Sequence, residues 1–80
     1  PIKDMNDKQW NRVEGRVIAA LREVPHLNDS EVAVLAMDEV FGKTDSEGVI
    51  KPPKGGYTTE LLDGVTRMAQ VRRKQVGAAK

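Results

Sequence analysis

Eighty residues make one domain, and a chain of this size buries only about 60% of its unfolded surface, so its core has to be small and closely packed. An apolar content of 39% beside 31% charged residues is globular rather than disordered, and one Trp, one Tyr and one Phe leave the core mainly aliphatic. The lack of cysteine excludes disulfides, thiolate nucleophiles and cysteine-rich zinc sites, and the net charge of +1 conceals an acidic middle and a basic end.

Asn6 followed by Gln9 reads as a capping box, in which the cap side chain accepts from an early backbone N–H and the third helical residue reaches back to the cap. Met5 and Trp10 flank it as an apolar staple. Trp10, Val13, Val17, Ile18, Leu21 and Val24 then recur at helical spacing, which predicts a first helix over about 6–24. Gly15 lies inside that helix at a cost of about 1 kcal/mol relative to Ala, and a close approach by a neighbouring helix would explain it. Val24-Pro25-His26-Leu27 ends the helix, because proline disfavours helical geometry in the residue before it and has no N–H to donate. The same start pattern repeats at Leu27, Asn28, Glu31 and Val32, so a second helix is expected over about 28–41, apolar around much of its circumference and terminated by Gly42.

From Gly48 to Gly56, three glycines and two adjacent prolines interrupt any regular helix, and an elbow over 42–57 divides the chain. Val49 and Ile50 are expected to pack on the first two helices, as a helical turn or a strand-like segment, with Tyr57 closing the region. Thr58 or Thr59 caps a third helix over about 58–76 whose buried face is Leu61, Leu62, Val65, Met68, Ala69 and Val76. Fraying is expected from Gly77 to Lys80. Arg72 falls at the centre of the apolar stripe, so the stripe ends there, the side chain snorkels outward, or a partner covers it. The expected architecture is all-α: a single domain over 1–80, with three main helices and a short fourth helical turn or a β-hairpin-like elbow around Gly48 to Thr59. Its expected core is Trp10, Val13, Val17, Leu21, Val34, Leu35, Met37, Phe41, Ile50, Leu61, Leu62, Val65 and Met68.

Catalytic and metal motifs are missing. His26 stands alone in an interhelical turn without a companion ligand or nucleophile, and Ser30 and Ser46 lie at a helix start and in a polar loop, outside any nucleophile-elbow pattern. The segment 42–50 superficially matches part of a calcium loop, but Lys43 and Lys54 would occupy positions where carboxylates are essential. The glycines at 48, 55 and 56 lack the spacing and the terminal Lys-Ser/Thr pair of a phosphate loop. The expectation is therefore a non-enzymatic protein with no metal and no cofactor. A cytoplasmic location fits the cysteine-free composition. No apolar run approaches the roughly 18 residues that span a bilayer, so no membrane partner is expected.

Charge carries the functional expectation. Asp29, Glu31, Asp38, Glu39, Asp45 and Glu47 face Lys43 alone in the middle of the chain, whereas only bases follow Asp63. Placing residues at about 100° intervals sets Arg67, Gln70 and Lys74 on one outward face of the third helix, with Arg73 beside it and Lys51 and Lys54 extending the patch from the elbow. This predicts a small regulatory or architectural protein that binds nucleic-acid phosphates through Lys51, Lys54, Arg67, Gln70, Arg73 and Lys74. Dipole-favoured bases at a helix end, with Asp63 and Arg67 as an ordinary (i, i+4) pair, are the plainer account of the same residues.

Strands at Val49–Lys51 and Tyr57–Thr59 around Pro52-Pro53-Lys54-Gly55-Gly56 would resemble the wing of a small winged-helix DNA-binding protein, although the second helix is too uniformly apolar for half of a helix-turn-helix. A second resemblance comes from two capped helices, Gly48-Val49-Ile50 running into Pro53-Lys54, and a final helix. This order is similar to that of the bacteriocin immunity proteins that inhibit colicin and pyocin nucleases. Lys51 and Pro52 stand where that family has paired tyrosines, and its strong overall acidity is absent. The resemblance implies an alternative function, a protein-binding adaptor or inhibitor using Asp38, Glu39, Asp45, Glu47 and Tyr57. Association with another copy through the apolar second helix is a further expectation left open.

Overall fold

In the computed structural model, which describes residues 1–78, both capping boxes form. Asn6 Oδ1 accepts from the Gln9 N–H at 2.9 Å, Gln9 Oε1 accepts from the Asn6 N–H at 3.0 Å, and α1 follows over Asp7–Glu23. Asn28 and Glu31 repeat the exchange at 2.8 and 3.0 Å, opening α2 over Asp29–Phe41. Thr58 Oγ1 accepts from the Leu61 N–H at 3.3 Å and opens α3, Thr59–Ala78. The last helix runs through Gly77, where the sequence suggests fraying; Ala79 and Lys80 lie outside the described residues.

The three helices form a small all-α bundle in which α2 runs against α1 and α3. Asp38, near the end of α2, bonds Tyr57 just before α3, and Asp29, at the start of α2, reaches Arg73 near the end of α3. Along α1, Trp10 lies beside Gly64 and Glu14 reaches Arg72. The buried core is Val13, Val17, Ala20 and Leu21 from α1, Val32, Ala33, Ala36 and Met37 from α2, and Leu61, Val65 and Ala69 from α3.

The core departs from the sequence expectation in a consistent direction. Val34 and Ile50 are each 41% exposed, while Trp10, Leu35, Phe41, Leu62 and Met68 are partly buried around the centre. Alanines at 20, 33, 36 and 69 occupy interior positions instead, so the helix backbones approach closely and the aromatic side chains stand at the rim. Val34 lies on the side of α2 opposite its buried residues, because 3.6-residue periodicity leaves every helix one outward face, however apolar.

The elbow is a β-hairpin with a different partner from the expected one. Ile50–Lys51 (β2) pairs antiparallel with Lys43–Thr44 (β1), in the register Lys43 opposite Lys51 and Thr44 opposite Ile50. The downstream pairing with 57–59 does not form. Pro52 and Pro53 have no N–H to continue the ladder, and Asp45 makes a tight reversal upstream, its Oδ1 accepting from the N–H groups of Glu47 at 2.9 Å and Val49 at 3.0 Å. Of the two expected forms Val49 and Ile50 take no helical turn; Ile50 is strand-like instead, its strand touching α2, with Val49 and Ile50 53% and 41% exposed. Tyr57 forms a parallel bridge with Ile2, whose N–H donates to the Gly56 carbonyl and whose carbonyl accepts from the Thr58 N–H, both at 2.9 Å. The N-terminal segment therefore clasps the start of α3.

Two glycines give opposite expectations. A Cβ at Gly15 would meet no atom within 4 Å, so the close helix approach suggested by the sequence is absent there. Gly15→Ala should raise unfolding stability by up to about 1 kcal/mol in urea titrations. Gly42 ends α2 in an extended conformation, and a Cβ there would overlap the backbone carbonyls of Lys51 and Asp38. Gly42→Ala should cost about 1–3 kcal/mol in the same measurement, because backbone cannot step aside as a flexible side chain can.

Candidate nucleic-acid interface

Helical phase divides the bases of α3 into two groups. Arg72 and Arg73 point back toward the bundle, whereas Arg67, Gln70 and Lys74 lie on the exposed side. Arg72 snorkels from the apolar stripe to α1, where its Nη2 donates to Glu14 Oε2 at 2.8 Å and its Nη1 to Gln75. No partner molecule is needed to explain it.

Arg73 is more deeply committed. Its Nε donates to Asp29 Oδ1 at 2.6 Å, and its two Nη atoms donate to the carbonyls of Leu27 at 2.7 Å and Pro25 at 3.3 Å. The planar guanidinium thus fastens the α1–α2 turn and the start of α2 to α3 through three acceptors. The charge of Arg73 belongs to this joint, although its sequence position beside Lys74 suggests an outward patch. Neither Glu14 nor the Leu27 carbonyl stands out in the sequence; the only signal was an arginine, Arg72, at the centre of an apolar stripe.

The remaining predicted bases are open. Among the described residues, Lys54, Arg67 and Lys74 enter no ion pair, and the expected Asp63–Arg67 pair does not form within 4.0 Å. Lys51 Nζ lies 4.0 Å from Asp45 Oδ2, a distant contact between an exposed and a half-exposed group. In the hairpin, Lys43 stands directly opposite Lys51, with Lys54 three residues further on, so three bases lie close together there.

The acidic set is bound into the fold more tightly. Asp38 Oδ1 accepts from the Tyr57 hydroxyl at 2.9 Å, Glu39 pairs with Arg16 at 3.5 Å, and Asp45 holds the hairpin turn. Tyr57 packs edge-on against Phe41, with ring centroids 6.2 Å apart. Glu47 alone of this group is exposed without an ion pair or side-chain hydrogen bond among the described residues. The described residues contain no group of three or more acids or histidines arranged to hold a metal ion, no fully buried polar or charged residue, and no helix long and apolar enough to cross a membrane. His26 is exposed in the α1–α2 turn.

Comparison with protein-family models, curated proteins and solved structures finds no match for this chain.

The arginines separate experimentally. Arg73→Ala should lower stability by about 1–2 kcal/mol, a value tempered by the partial exposure of the joint, whereas Arg67→Ala and Lys74→Ala should each stay within about 0.5 kcal/mol of the parent in thermal or urea unfolding.

Tyr57 gives a pH signature. Burial first, then the hydrogen bond and negative charge of Asp38, hold its phenol well above the ordinary value of 10.0. The folded state therefore keeps this proton more tightly than the unfolded chain, and the resulting stability is present below pH 10 and declines as pH rises above it. Tyr57→Phe should be less stable near neutrality and converge with the parent above about pH 10, as read by urea unfolding across a pH series.

Proposed function

We propose that this chain is a small non-enzymatic regulatory or architectural protein that contacts nucleic-acid phosphates through the outward side of α3 and the hairpin, acting in a reducing compartment such as the cytoplasm. The observation that carries this reading is the unequal use of charge. The bases Lys54, Arg67 and Lys74 are exposed and enter no ion pair among the described residues, while Asp38, Glu39 and Asp45 already serve internal contacts. Asp38, Glu39 and Asp45 each already have an internal partner, so fewer unpaired groups support the adaptor or inhibitor reading. Gln70 lies between Arg67 and Lys74 and supplies a donor and an acceptor beside the two charges. Arg73 stands behind this face as its support.

The interface would act mainly by displacing counterions from phosphates, which makes its affinity strongly salt-dependent and weakly sequence-dependent. Anisotropy of a labelled random duplex should show binding at low salt, with the logarithm of affinity falling linearly with that of salt concentration. The double variant Arg67→Ala/Lys74→Ala should reduce the magnitude of that slope by about 2, roughly one unit for each lost phosphate contact, without a change in fold. Absence of binding at low salt would reject the proposal.

A further inference from the structure

Two helix faces that the fold leaves uncovered match each other. On α2, Glu31, Val34 and Asp38 stand at successive intervals of three and four residues, beside an open groove completed by Leu27, Ser30 and Leu35. On α3, reading toward its start, Lys74, Val71 and Arg67 stand at the same intervals of three and four. Val34 is 41% exposed and Val71 55% exposed, and they are the large apolar residues that the described helices leave most open to solvent. One face is acid–apolar–acid and the other is base–apolar–base.

We propose that α2 of one copy docks antiparallel on α3 of a second copy, with Glu31 against Lys74, Val34 against Val71 and Asp38 against Arg67. Alternating three- and four-residue spacing is what lets a helix present a nearly straight seam to a partner helix, and here both seams carry it in matching order. The apolar centre excludes water while the flanking charges favour the antiparallel direction, in which each acid lies level with a base; over the same valines a parallel arrangement would displace each acid from its base by one residue. The acids remain able to take part. Glu31 Oε1 accepts from the Asn28 N–H and Asp38 Oδ1 from the Tyr57 hydroxyl, and each carboxylate has a second oxygen for the incoming base. A single helix-on-helix contact is at the small end of specific interfaces, so the association is weak, concentration-dependent and sensitive to salt.

Arg67 and Lys74 also belong to the proposed polyanion contact, so a bound nucleic acid and a second copy would compete for one face. The docking itself does not rest on nucleic acid, and its test contains none. Sedimentation velocity on the purified chain at low salt, over a wide concentration series, should show reversible self-association. Val34→Lys and Val71→Glu change exposed positions and should keep the parent circular dichroism and unfolding midpoint, yet each alone should remain monomeric. Mixed in equal amounts the two variants should associate, because the unaltered α2 of the Val71→Glu copy meets the unaltered α3 of the Val34→Lys copy, and the introduced lysine and glutamate face each other in the reciprocal contact. A parent chain that stays monomeric throughout, single variants that still self-associate, or a mixture that fails to associate although the parent does, would each overturn the proposal.

Discussion

The bundle depends on a close approach of three helices at a seam of small side chains. Ala20, Ala33, Ala36 and Ala69 sit inside with Val13, Val17, Val32 and Val65 and only three larger side chains, Leu21, Met37 and Leu61, so the interior is filled closely where the backbones come together. In a chain that can bury little surface, this arrangement spends few residues on a dense centre. It also decides where most of the larger side chains go. Trp10, Phe41, Tyr57 and Met68 become a half-buried rim, and long cations such as Arg72 and Arg73 can cross from one helix to the next because the distances are short.

The helical plan was legible in the sequence because its signals are local. Asn6 with Gln9 and Asn28 with Glu31 satisfy backbone donors within a single turn, and proline at 25 and glycine at 42 act on the backbone where they stand. The core was less legible. Val34 is as hydrophobic as Val32, and only the phase of α2 against its neighbours makes one exposed and the other fully buried. The hairpin was visible as a possibility but assigned the wrong partner. Ile50 and Lys51 had two flanking segments to choose from, and the decision rested on Asp45 folding its own turn and on the prolines blocking the other side.

The candidate interface was legible as a composition and less so as a surface. A run of bases along α3 separates into inward and outward members over a single residue step, with Arg73 bound to Asp29 and its neighbour Lys74 exposed. A rotation of about 100° between adjacent residues is well within the reach of an arginine side chain, so sequence spacing alone does not say which way it turns. The contacts that settle it, with Glu14, Pro25, Leu27 and Asp29, come from residues more than forty positions away.

The bridge between Ile2 and Tyr57 closes a loop of roughly 55 residues, most of the described chain, through two backbone hydrogen bonds at the edge of the bundle. Ile2 and Met5 also pack against the core, so the first residues are tied to the bundle as well as to the elbow. The end of the elbow and the entry to α3 are thereby fixed by a residue more than fifty positions earlier in the chain.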